Sequence, residues 1–254
     1  MNSGFCVIPV TSIPMIEAGD DLADIISTAL AECSITLECG DVIAVAQKIV
    51  SKAEGRLIPL ADVEPSSEAV VLAEETEKDP RIVELILRES TGLLRKKPGV
   101  LIMRHRLGLV GAHAGIDQSN VDQSQGEVAL LLPEDPDRSA MRLRTQLETR
   151  TGHTLAVIVT DSLNRPWRLG TLGAAIGSAG LPVLDDRRGG NDLYGRELKV
   201  TLINQADALA AAATLVMGET TEKIPVAVIR GFSWQPTPDT ARDIIRPLEE
   251  DLFN

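Results

Sequence analysis

The chain has 254 residues, 44% hydrophobic and 24% charged, enough apolar material for a sizeable core in one large domain or two small ones sharing a cleft. Acidic residues outnumber basic ones 37 to 25, the net charge is −12, and the aromatics are 3 Phe, 2 Trp and 1 Tyr. This excludes the basic footprint of a duplex-binding protein and the stacking platforms of a single-strand binder, so an anionic ligand must be held by local arginines, backbone amides or metal ions.

In chain order, MNSGFCVIPV has no basic start and no long apolar run, so it does not read as a signal peptide. Residues 20–33 predict a helix with Leu22, Ile25, Ile26 and Leu30 on one face and Asp20 or Asp21 as its cap. VIAVA after Asp41 predicts a buried strand, and KIVSKAEGR turns polar and leaves the sheet. Residues 80–89 predict a helix with proline in its first turn. VLIMRHRLGLVGAHAGID predicts two strands joined near Arg106–Gly108. LLLPEDPDRS is expected as a loop, followed by a charged helix over 138–150 capped by Asp137.

LAVIVTD at 155–161 is the clearest strand, and it delivers a carboxylate at its end. Leu169 to Leu184 is too short and too rich in glycine to span a bilayer. Its glycines at 170, 173, 177 and 180 lack phosphate-loop spacing and suggest close packing of a helix or turn. Residues 206–217 predict an alanine-rich helix stopped by Gly218, and PVAVIRG a buried strand. Pro247 breaks or kinks an amphipathic C-terminal helix. Strands and helices mix without strict alternation, so the fold class is expected to be α+β, not a doubly wound sheet.

Cys6, Cys33 and Cys39 form no C-x-x-C pair and are expected as buried free thiols in a reducing compartment. His105, His113 and His153 are scattered, which favours structural or surface roles over a metal site. No P-loop, dinucleotide fingerprint, zinc-protease motif or nucleophile elbow is present.

Two patterns remain. Asp117 in GIDQSNV, Asp161 beside the Ser162 hydroxyl, and Glu219 after a helix-ending glycine are oxygen ligands at element ends. Such hard donors suit magnesium or manganese carrying phosphates, although each acid alone also serves as a cap or turn residue. Arginine also clusters beside glycine, in Arg165, Arg168, Arg187, Arg188 and Arg196. These either grip phosphate or carboxylate, or are solvated charges paired with Asp185, Asp186, Asp192 and Glu197. Lys52 is a third candidate for a phosphate contact.

The motifs IPMIEAGDDL, VSKAEGR, GIDQSNV, VTDSLNRPWRLG, DLYGRELKVT, MGETTEKIP and VIRG, in this order over nearly the whole chain, resemble the coenzyme F420:L-glutamate ligases, also called coenzyme F420-0 gamma-glutamyl ligases. The chain ends soon after VIRG, as in the stand-alone form without the nitroreductase-like second domain. The resemblance implies an unusual α+β fold in an intertwined homodimer with its site in a cleft. It implies a cytoplasmic enzyme that joins L-glutamate to the deazaflavin coenzyme precursor, consumes GTP, and extends a gamma-linked tail. It implies two divalent ions, magnesium or manganese, on Asp117, Asp161, Ser162 and Glu219, with potassium as a candidate auxiliary ion. Many relatives carry threonine at Ser162. The implied GTP contacts are Ile13, Pro14, Met15, Ile16, Gln47, Lys48, Lys52, Asn120, Met217, Gly218, Glu219, Thr220, Thr221, Glu222, Lys223 and Ile224. Some archaeal members carry Ser-Thr at Gln47-Lys48.

Asp117, Asp161 and Lys52 are expected to act at the reacting phosphates through an acyl-phosphate route. The five arginines are candidates for holding the acceptor's phosphodiester or the glutamate carboxylates. The rival readings are a related amide ligase for another acid and a nucleotide-binding regulator without turnover.

Overall fold

A computed structural model describes residues 4–164 and 168–252. The elements run β1 (Cys6–Val10), α1 (Leu22–Glu32), β2 (Val42–Ala46), α2 (Gln47–Ala53), β3 (Leu57–Pro59), α3 (Ser67–Thr76), α4 (Pro80–Arg88), β4 (Ser90–Lys97), β5 (Val100–His105) and β6 (Val110–Ala112). They continue with β7 (Val128–Leu130), α5 (Pro136–Thr151), β8 (Ala156–Asn164), β9 (Thr171–Ala179), β10 (Leu184–Asp186), β11 (Leu202–Asn204), α6 (Gln205–Met217) and β12 (Val226–Arg230). The protein is α+β with mixed sheets.

The central sheet has the order β1-β12-β2-β8-β9, with β2 and β8 parallel and the other pairs antiparallel. VIAVA and LAVIVT are apolar without alternation because both faces of these strands are covered. Ile43, Val45, Val157 and Val159 join one core with Ile26, Leu30, Leu143 and Leu147 of α1 and α5. Ala44, Ala156, Ile158 and Ala227 join a second core with Ala206, Leu209, Ala210 and Ala213 of α6. Small side chains on this face let α6 approach closely. A Cβ on Gly173 would lie 2.6 Å from the Ala210 carbonyl oxygen, and one on Gly177 would lie 2.3 Å from that of Pro136.

A third core lies apart from the central sheet. It gathers Leu60, Leu72, Val83, Ile86, Leu101 and Met103 from the segment carrying α3, α4 and the β4-β5-β6 sheet. Arg56 ties this segment to the rest. Its guanidinium donates to the Leu132 carbonyl at 2.9 Å and to Glu89 at 3.1 Å.

Several expectations need correction. The glycine-rich run after residue 170 is strand β9, not a helix or turn, because its glycines admit α6 and α5 against the sheet. The charged helix starts at Pro136 and is capped by Asp135, whose side chain accepts from the Arg138 N–H. Asp137 is no cap. It is buried in the first turn, and its Oδ1 accepts from the Ser178 and Ala241 amides at 2.8 Å each. The KIVSKA stretch does leave the sheet as expected, forming helix α2, which buries Ile49 and Val50. The C-terminal segment forms two short 3-10 turns around Pro247, Ala241–Ile244 and Leu248–Glu250, with no α-helix. The cysteines are free but not buried. Cys6 opens an edge strand and Cys39 sits in the turn before β2, both exposed, while Cys33 is half-buried. Among the described residues, no helix is long and apolar enough to cross a membrane.

Candidate active site

The site lies at the carboxyl ends of the two parallel strands. Their ladder stops at Ala46↔Thr160. Past that pair β2 passes directly into α2, while β8 continues to Asn164 against β9 alone. A bulge in the β8–β9 ladder falls between Val159 and Thr160. One residue on, after Thr160, the burial of β8 changes from continuous to alternating, and bulges of this kind re-aim side chains beside functional sites.

A cavity of about 670 Å³ opens at this point. Its wall takes Ile13–Ile16 from the β1–α1 loop, Gln47, Lys48 and Lys52 from α2, Asn120, and the loop Met217–Ile224 after α6. These are all the positions named above as GTP contacts, drawn from four separate stretches of chain. Asp161 and Ser162 line it from β8.

The loop after α6 is shaped by Gly218. Its φ of 74° and ψ of 178° suit glycine, and a Cβ there would meet the Glu222 carboxyl carbon at 2.3 Å. The Glu222 carboxylate accepts from the Thr220 amide at 2.8 Å, which holds it below the usual carboxylate range. Asn120 donates from Nδ2 to the Thr220 carbonyl at 2.9 Å, and Lys52 donates to the Asn120 carbonyl at 2.9 Å. These two bonds bring the 117–122 loop, α2 and the 218–225 loop to one wall.

The electrostatics are divided. Lys48 Nζ contacts Asp117 Oδ2 at 2.6 Å and Ser119 Oγ at 2.8 Å. Burial works to raise the Asp117 carboxyl, but Lys48 and the Ser119 amide and hydroxyl hold it below its ordinary value. Asp161 behaves in the opposite way. Its burial, together with the charges of Asp117 and Glu219, outweighs the Ser162 amide and Lys48 and pushes it up to about 6. Burial, and then Lys48, lowers Lys52. The Ser162 hydroxyl is hydrogen-bonded to Glu219 Oε2.

Three carboxylates that repel one another, with a hydroxyl among them, are a donor set that fits a hard divalent cation. Among the described residues, no group of three His, Cys, Asp or Glu side chains is arranged to hold a metal ion alone.

A family model described as F420-0:gamma-glutamyl ligase matches residues 11–231. The chain belongs to that family. It is 46% identical to the coenzyme F420:L-glutamate ligase of Methanopyrus kandleri over 98% of this chain and 99% of the relative. It is 45% identical to that of Methanothermobacter thermautotrophicus over the same shares. With that of Methanocaldococcus jannaschii it shares 40% identity over 95% of this chain and 94% of the relative.

Not every candidate of this F420-0:gamma-glutamyl ligase family member reaches the cavity. Asp117 does not line it and meets it through Lys48. Gln47 does line it, but is buried, and its amide oxygen accepts from Ser51 at 2.8 Å. Arg165 lies outside the described residues. Arg187 pairs with Asp185 at 2.8 Å, Arg188 grips both oxygens of Asp186, and Arg168 and Arg196 are exposed. None of these four lines the cavity, so for Arg187 and Arg188 the pairing with local acids is what the structure shows.

Sequence reasoning also missed wall residues. Thr160, Thr214, Val121 and Asp122 line the cavity. Thr160 was legible as the neighbour of Asp161 at a strand end. The other three carry no local signal.

Proposed function

We propose that this protein is a GTP-dependent ligase that attaches L-glutamate to the coenzyme F420-0 precursor and then extends a gamma-linked glutamate tail. The observation that carries the reading is the convergence of Ile13–Ile16, Lys48, Lys52, Asn120 and Met217–Ile224 on one cavity beside three carboxylates. The 45–46% identity over nearly the whole chain to coenzyme F420:L-glutamate ligases supports the substrate assignment.

Amide formation from a carboxylate is uphill in water, so the acid must be activated. In this reading the acceptor carboxylate attacks the gamma-phosphorus of GTP, GDP leaves, and an acyl phosphate forms. The glutamate amine then attacks the acyl carbon and phosphate departs. The apolar wall from Ile13 to Ile16 seats the nucleoside. Lys52, half-buried and reaching across to the Asn120 carbonyl, steadies the leaving diphosphate. Lys48 keeps Asp117 charged and fixed. Divalent ions held by Asp117, Asp161, Ser162 and Glu219, magnesium or manganese, would neutralise charge on the phosphates, with potassium as an auxiliary ion. Arg165, Arg168 and Arg196 remain candidates for the anionic groups of coenzyme and glutamate. Positioning and electrostatics, not a covalent protein nucleophile, supply the rate gain.

The protein acts as a cytoplasmic homodimer in this reading. Leu193 and Tyr194 are 99% and 96% exposed on the arm between β10 and β11, and Leu169 and Leu215 are exposed as well. Fully exposed neighbouring apolar side chains such as Leu193 and Tyr194 favour a protein partner.

The test is reconstitution with purified protein, GTP, manganese, L-glutamate and the coenzyme precursor, with products read by mass. The expected result is a precursor carrying added glutamate, with one GDP per glutamate. Carboxylate oxygen labelled with a heavy isotope should appear in the released phosphate. Absence of that label rules out the acyl phosphate, and absence of GDP with all substrates present favours a regulator without turnover.

A further inference from the structure

Thr160 is 3% exposed, lines the cavity, and its Oγ1 finds no hydrogen-bond partner among the described residues. A buried hydroxyl without a partner is costly, and in native proteins such a group calls for an explanation. Many threonines in this protein do find partners. Thr76, Thr145, Thr149 and Thr151 each donate to the carbonyl four residues earlier. Thr160 sits in a strand, where no such carbonyl is within reach. Its backbone is committed on both sides, to Ala46 of β2 and to Ala175 of β9. Of its polar groups, only the side-chain hydroxyl is left without a partner among the described residues.

Its position limits what that ligand presents. Across the ladder lies Ala46, which leads into α2 with Gln47 and Lys48; along the strand lie Asp161 and Ser162. Thr160 therefore stands between the lysine side and the carboxylate side of the cavity. The part of a nucleotide that needs both cationic side chains and cation ligands is its polyphosphate, and a hydroxyl there is a donor to phosphate oxygen.

We propose that Thr160 is a ligand-contacting residue whose hydroxyl donates to a beta- or gamma-phosphate oxygen of the nucleotide. The inference rests on the GTP-site reading above and adds a residue and a contact to it. A donor to a charged acceptor contributes roughly a tenfold or greater gain in affinity. Because the hydroxyl has no partner to lose among the described residues, an apolar replacement of the same shape leaves the free protein about as stable.

Thr160→Val and Thr160→Ser test this on the full chain, by nucleotide titration in the presence of magnesium and by thermal unfolding with and without GDP. Thr160→Val should unfold at the same or a higher temperature than wild type without nucleotide. It should bind GTP and GDP roughly tenfold or more weakly, with a correspondingly smaller GDP-induced shift. GMP binding should be unchanged, and Thr160→Ser should restore most of the GTP and GDP affinity. Equal GDP affinity in Thr160→Val and wild type overturns the inference while leaving the nucleotide site standing. An equal loss for GMP overturns the assignment to the outer phosphates. A lower unfolding temperature of free Thr160→Val, with unchanged nucleotide affinity, makes the residue structural. If wild type binds neither GTP nor GDP, the GTP-site reading itself fails, and this inference with it.

Discussion

Lys48 Nζ lies 2.6 Å from Asp117 Oδ2, joining residues 69 positions apart. The pair locks the first turn of α2 to the loop after the β6 strand. It also separates two acids of one site, since Asp117 is held charged by Lys48 while Asp161 is pushed up to about 6. One carboxylate has a lysine at close range, and the other is raised by burial and by its acidic neighbours.

Asp161→Asn should abolish ligation and leave the fold cooperative. The substitution keeps the shape and removes a charge that burial and its neighbours oppose, so the free protein should unfold at an equal or higher temperature. Asp117→Asn should abolish ligation too, but weaken the fold by about 1 kcal/mol or less, because the Lys48 pair is partly exposed. Turnover assays beside thermal denaturation check both. Near-normal turnover in Asp161→Asn rules out its role.

Gly218→Ala should raise the KM for GTP by roughly tenfold or more, since strain of about 1–3 kcal/mol attends a non-glycine residue in such a conformation. The φ of 74° and the close Glu222 carboxyl leave no room for a methyl group, so the loop must shift. Ala210→Gly, in the helix that Gly218 ends but away from the wall, serves as the control that loses stability with little change in KM. Steady-state kinetics at varied GTP separates the two, and an unchanged KM in Gly218→Ala would show that the loop tolerates the shift.

Acid should weaken the fold through Glu89. Burial alone would raise this carboxyl, but His105, Arg56 and Arg106 outweigh it and hold it at about 2, against an ordinary 4.5. The folded value lies below the unfolded one. The stabilisation is therefore complete above about pH 4.5 and is lost as pH falls toward 2, about 3 kcal/mol in all. Chemical denaturation from pH 7 to 3 should show Glu89→Gln less stable at pH 7 and less sensitive to acid than wild type. Parallel curves for the two proteins would remove Glu89 from the account.

Light scattering at micromolar concentration should give a dimer. Leu193→Ser with Tyr194→Ser, which removes two exposed apolar side chains from the arm, should shift the protein toward monomer. A wild-type monomer under these conditions counts against the homodimer.

Local pattern carried much of this protein. The cap Asp21, the proline that opens α4, the apolar runs VIAVA and LAVIVT, and the stop at Gly218 all follow from a few neighbouring residues, because capping and burial are short-range demands. Ordered motifs along the chain were enough to point to the family. Tertiary structure decided the rest. β9 reads as a glycine-rich stretch until α6 and the Pro136 carbonyl press against Gly173 and Gly177. Asp137 looks like a cap until the Ser178 and Ala241 amides, from 41 and 104 residues away, converge on it. The same holds at the cavity. Asp161 reads in the sequence as an acid at a strand end, and only burial together with Asp117 and Glu219 gives it a raised value. The arginine-glycine run looked equally suited to a ligand, yet Asp185 and Asp186 took Arg187 and Arg188. Charge and dielectric act through space, so which groups share a site is settled only when the chain has folded.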